Sequence, residues 1–98
     1  MKTKKTNPTL SDYKILVEKL CNANERSEFE DIYNGFFEAK EPVFPKYLIK
    51  TNEDRELVKS WMDKVNARIA KLKSSKTEDG LDAGHFFTII AGDLFFGL

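Results

Sequence analysis

The stretch from Thr51 to Lys73 reads TNEDRELVKSWMDKVNARIAKLK, and its periodicity governs what kind of fold this chain can build. Leu57, Val58, Trp61, Met62, Val65, Ile69 and Leu72 recur at three- and four-residue intervals. At about 100° per residue they make one continuous apolar stripe along a helix. Thr51 stands where an N-cap is wanted, with Asp54 three residues on. Glu53, Asp54 and Glu56 gather at the start, and Lys71 and Lys73 at the end, as the helix dipole prefers. The spacing predicts a long helix from about Asn52 to Lys73.

Two more helices precede it. Phe29, Ile32, Tyr33, Phe36 and Phe37 repeat at helical intervals, and Ser27 with Glu30 has capping-box spacing. The opposite face carries Glu28, Glu30, Asp31 and Glu38. Gly35 lies inside this pattern at a cost of roughly 1 kcal/mol relative to Ala, so a close packing contact is expected there. Pro42 and Pro45 end the element and leave Val43-Phe44 extended. Before it, Tyr13, Leu16, Val17 and Leu20 form the stripe of a first helix, which Ile15 and Cys21 widen. That helix should start near Thr9 or Ser11, with Asp12 completing a short capping box, and stop at Asn22-Ala23-Asn24. Residues 1–8 are polar and basic and read as a flexible arm ahead of a single helical domain over 9–98.

Two segments stay open. Tyr47-Leu48-Ile49 fits a strand fragment or a helical turn. After a loop over 74–80, Leu81 to Leu98 fits a helix with Phe86, Phe87, Ile90 and Leu94 on one face, capped by Asp79 or Asp82. It also fits a β-hairpin turning at Ala91-Gly92-Asp93, because short apolar runs are not settled by periodicity. The fold class expected is mainly α: a small bundle of three to four helices, the first two an antiparallel pair with the third packed across them.

Composition narrows the class of function. A chain of 98 residues holds one domain with a thin core. Its 16 basic and 16 acidic residues balance, so no global field draws it to nucleic acid, membrane or acidic partners. One cysteine, Cys21, allows no internal disulfide, and no apolar run is long enough to span a bilayer. The apolar run of a signal peptide is also missing after the first lysines. A soluble, cytoplasmic protein is the expectation.

Catalytic readings lack parts. Cys21 and His85 are the sole thiol and imidazole, and a thiol within an apolar stripe is usually an inert packing residue. Asp82 and His85 stand three apart, but zinc needs three or four ligands, and no further histidine or cysteine supplies them. Asp79, Asp82 and Asp93 lack the order of a calcium loop. Gly80-Leu81-Asp82-Ala83-Gly84 resembles half a phosphate loop, yet His85-Phe86 follows where Lys-Ser/Thr is required. The carboxylates of the second helix lie opposite its apolar stripe, where solvated groups make poor general acids. No enzyme, metal site or cofactor is expected.

Two surfaces remain. Phe86, Phe87, Ile90, Leu94, Phe95 and Phe96 crowd the chain end and surround most of a helix, so they are either a fully wrapped core element or an exposed interface. Lys64, Arg68 and Lys71 form one row on the third helix, joined by Lys73 and Lys76, with Lys2, Lys4 and Lys5 in the arm. Such a row could meet phosphates, although no aromatic residues are interleaved for base stacking. The leading expectation is a non-enzymatic protein-binding module that acts through the Phe-rich end. It would be an adaptor, assembly subunit or stoichiometric inhibitor of a kind common among phage and mobile-element proteins. Its partner would be another protein or a second copy in a homodimer. The alternative is an auxiliary nucleic-acid-binding protein using the row from Lys64 to Lys76.

Overall fold

The three helices expected from periodicity form, and the open C-terminal segment is a fourth. The computed structural model describes residues 4–98. In it α1 spans Leu10–Asn22, α2 Arg26–Ala39, α3 Asn52–Ser74 and α4 Glu78–Leu94, with a 3-10 turn at Pro45–Tyr47. The chain is a mainly helical four-helix bundle without strands among the described residues. The ambiguous segment around Tyr47 is therefore a tight helical turn, and the hairpin alternative for the chain end does not occur. Lys2 and the rest of residues 1–3 of the basic arm lie outside the described residues.

Local chemistry accounts for the helix starts. Thr9 and Asp12 exchange hydrogen bonds: the Asp12 N–H donates to Thr9 Oγ1 at 3.2 Å, and the Thr9 N–H donates to Asp12 Oδ2 at 2.9 Å. The Thr9 backbone donor holds the Asp12 carboxyl below its ordinary range, against the opposing effect of burial, and Lys40 at 3.4 Å adds to it. Thr51 caps α3 by accepting from the Asp54 N–H at 3.1 Å.

Two caps differ from expectation. Helix α2 begins before Ser27, with Glu25 at the N-cap. Glu28, not Glu30, turns back to accept from the Asn24 and Glu25 N–H groups at 3.2 Å each. Only Ala23, Asn24 and Glu25 separate α1 from α2, so the short connection forces the earlier start. Helix α4 is capped by Thr77, whose hydroxyl accepts from the Gly80 N–H at 3.0 Å, and not by Asp79 or Asp82. Asp82 pairs with Arg26 of α2 at 3.3 Å instead.

Helix α1 packs on α2 and on α3, as expected of a pair met by the third helix, and α4 adds the larger contacts. The most extensive interface joins α3 to α4, and α4 packs next on α2. Small residues explain this. A Cβ built on Gly84 would lie 2.7 Å from Lys73 Cγ and 3.6 Å from Leu72 Cβ. The missing side chain lets α4 turn back directly against the end of α3, which is the structural use of the Gly80–Gly84 stretch. Gly35 shows the reverse: a Cβ there would meet nothing within 4 Å. It opens a shallow groove with Ile15, Leu16, Ile32 and Phe36 and makes no close contact.

The core is built of apolar and aromatic residues, and among the described residues no charged or polar one is buried. Phe29 of α2 and Phe87 of α4 meet with ring centroids 4.8 Å apart, and Tyr13 meets Phe36 at 5.0 Å. The molecule measures 40 × 39 × 19 Å. Its short dimension is about two helix diameters, so it is a two-layer slab. The N-terminal segment joins the body at Thr6, whose N–H donates to the Ala39 carbonyl at 3.1 Å and whose own carbonyl accepts from Glu41 at 2.8 Å.

Candidate functional site

The Phe-rich chain end divides between core and surface. Phe87, Ile90, Leu94 and Phe95 are all buried, so these four expected interface residues are core residues. Helix α4 is flanked by α3 and by α2, which together cover more of its circumference than a thin bundle was expected to supply. Phe86 is half-buried beneath the Arg26 guanidinium, 5.2 Å from its ring centroid, and Arg26 is itself tied to Glu30 at 3.0 Å and to Asp82. Of the six, Phe96 alone stands out, 72% exposed.

Phe96 does not stand alone. Helix α4 ends at Leu94, Phe95 turns inward, and Phe96 projects from the following turn. Lys46, in the 3-10 turn, lies over the Phe96 ring at 5.3 Å and over the ring of Tyr47 at 5.0 Å. Tyr47 is 67% exposed. Gly97 makes the arrangement possible. Its φ of +82° suits a residue without a side chain, and a Cβ there would lie 2.7 Å from Lys46 Cδ. The chain then folds back, the Leu98 N–H donating to the Phe95 carbonyl at 3.1 Å. Leu98 thereby closes one side of a cleft of about 250 Å³ over α3, lined also by Arg55, Val58, Lys59 and Met62. Nothing in the local sequence marks Tyr47, Lys46 or Arg55 as surface-site residues, and Tyr47 is legible only as part of a strand fragment or helical turn. No local spacing links the 3-10 turn to the end of α4; only the tertiary fold does.

The basic row is broken up. Arg68 is half-buried and donates through Nη2 to the Ala23 carbonyl at 2.9 Å and to Asn24 Oδ1 at 2.6 Å. It ties α3 to the α1–α2 connection instead of facing solvent. The aliphatic stem of Lys73 lies against Gly84 on another face of the helix. Lys64 and Lys71 are exposed on α3, and Lys76 is exposed in the α3–α4 loop with a φ of +57°. Of the five, Lys64 and Lys71 remain exposed on one helical face, about two turns apart.

The titratable groups are spread out. Burial pushes the Cys21 thiol up, against the pull of Lys64 and Arg68, which keeps it in its poorly nucleophilic form. His85 is exposed on α4, one turn beyond the Asp82 that Arg26 engages. Among the described residues no three His, Cys, Asp or Glu side chains converge as metal ligands would. Among the described residues no helix is long and apolar enough to cross a membrane. Comparison with protein-family models, characterised proteins and solved structures returns no match.

Proposed function

We propose that the protein is a non-enzymatic docking module that binds another protein through the surface centred on Phe96 and Tyr47. One observation carries this reading: two aromatic rings, each about two-thirds exposed or more, share the ammonium of Lys46 and so stand together on one surface. Scattered exposed apolar residues need no explanation, but a pair brought together does. Aromatic rings offer large contact area with few rotatable bonds, so more of their burial appears as affinity. Aromatic residues, Met and Arg are the types that interfaces favour, and Met62 and Arg55 line the adjoining cleft. Such a module acts stoichiometrically, as an adaptor, assembly subunit or inhibitor.

The test is a Phe96→Asp, Tyr47→Asp double variant compared with the wild-type protein by light scattering after size exclusion and by affinity capture. Both side chains are exposed, so helicity and melting temperature should stay close to wild type. The expected result is loss of the bound partner, or of a dimer should a second copy of the chain be the occupant. A folded variant that keeps its oligomeric state and its partners overturns the reading.

A further inference from the structure

The cleft under Leu98 adds what the exposed rings lack, a basic rim over an apolar floor. Arg55 and Lys59 stand one turn apart on α3, and Met62 continues the same face. Among the described residues Arg55 makes no ion pair, and Lys59 reaches only Glu56, at 4.0 Å. Lys46, beside Gly97, lies over two rings and makes no ion pair among the described residues. Glu53 falls on the opposite side of α3 from Arg55, since two residues turn the helix through about 200°. Two cations, Arg55 and Lys59, therefore line the apolar depression, with Lys46 beyond it on the far side of Gly97.

Size decides the kind of occupant. Pockets for drug-sized molecules run about 300–1,000 Å³, and this open cleft of about 250 Å³ falls below that range. It suits one or two side chains of a macromolecular partner. We infer that the surface is selective for an acidic segment of a partner protein. A large apolar side chain of that segment fills the cleft between Val58, Met62 and Leu98, while neighbouring carboxylates meet Arg55 and Lys59. The inference rests on the docking surface proposed above and adds the chemistry of its partner. Arginine can grip a carboxylate with two parallel hydrogen bonds. Rim cations of this kind mainly speed encounter and reject basic competitors.

The experiment pans a displayed library of random peptides against the intact protein. The consensus peptide is then measured by fluorescence anisotropy on wild type, Arg55→Glu/Lys59→Glu and Phe96→Asp, each checked for native circular dichroism. The expected consensus joins Asp or Glu to a large apolar residue. Its affinity should fall about tenfold or more with the α3 charge reversal, chiefly through slower association, and less steeply at high salt. It should also fall with Phe96→Asp. A neutral or basic consensus that is lost in Phe96→Asp yet indifferent to the charge reversal overturns the acidic-partner inference and leaves the docking surface standing. No enrichment, or a consensus indifferent to both variants, overturns the two together. Single-stranded oligonucleotide and phosphatidylserine vesicles serve as counter-probes. Tighter binding of either than of the peptide, abolished by the charge reversal, also overturns the inference.

Discussion

The hydroxyl of Tyr13 donates to the carbonyl oxygen of Val43 at 2.7 Å, joining the first turn of α1 to the extended segment between the two prolines. The Tyr13 ring is wholly buried, so this bond satisfies the one polar atom that α1 sends into the core. Tyr13→Phe should therefore cost about 1–2 kcal/mol in urea unfolding while leaving the ring packing intact. The phenol also makes stability depend on pH. Burial raises the Tyr13 pKa above its unfolded value, and burial followed by Asp93 raises that of Tyr33. A raised folded pKa gives stability that is complete below about pH 10 and is lost as pH climbs toward the folded value. Thermal melts taken upward from pH 10 should fall more steeply for wild type than for Tyr13→Phe. Equal slopes would mean that the hydroxyl is not held as described.

Phe87 and Phe96 give opposite outcomes although both belong to the same aromatic run. Phe87 sits against Phe29 in the centre of the bundle, and Phe87→Ala should cost about 3–5 kcal/mol, enough to unfold much of a small domain. Phe96→Ala removes only an exposed ring and its contact with Lys46, and should cost less than about 1 kcal/mol. Chemical denaturation midpoints of the two variants check the division directly. Comparable losses would place Phe96 in the core and remove the docking surface.

That division marks the limit of what the residues alone could tell. The stripes of α1, α2 and α3 were legible because each helix has one wet face, and a wet face leaves a period. Helix α4 is covered on two flanks, so its apolar residues lose the alternation that would separate core from surface. The Thr9 and Thr51 caps were readable from local spacing. The caps of α2 and α4 were not, because loop length and packing moved both starts away from the better-matching motifs. The Lys46–Phe96 contact is wholly a product of tertiary structure.

Arg68 illustrates how a charge pattern misleads when one member is a structural tie. Its guanidinium closes the connection after α1 by bonding the Ala23 carbonyl and the Asn24 side chain. Arg68→Ala should cost about 1.5–3 kcal/mol, since hydrogen bonds from a charged donor are the stronger kind and the one to the Ala23 carbonyl is part-buried. Arg68→Lys should recover part of it, because both bonds leave the single nitrogen Nη2 and an ammonium also carries several donors, while the buried Nε has no partner to lose. Lys71→Ala, on the same row, should change stability by less than about 0.5 kcal/mol. Hydrogen exchange at the α1–α2 connection would separate these cases: faster exchange in Arg68→Ala and wild-type rates in Lys71→Ala. Wild-type protection in Arg68→Ala would return the residue to the solvent-facing row.

Two glycines should respond in opposite directions to the same substitution. At Gly35 an added methyl meets open space in the interior of α2, so Gly35→Ala gains helix propensity without a clash and should stabilise by about 0.5–1 kcal/mol. At Gly80 the methyl would lie 2.8 Å from Thr77 Oγ1 and 2.9 Å from the Leu72 carbonyl oxygen. The first of those atoms is the α4 cap and the second is backbone at the end of α3, so neither can move without losing a contact that orders the turn. Gly80→Ala should destabilise by about 1–3 kcal/mol, part of it the loss of the cap. Urea midpoints measured side by side test the pair. A lowered midpoint for Gly35→Ala would mean that the added methyl meets neighbours in the groove beside Ile15 and Phe36.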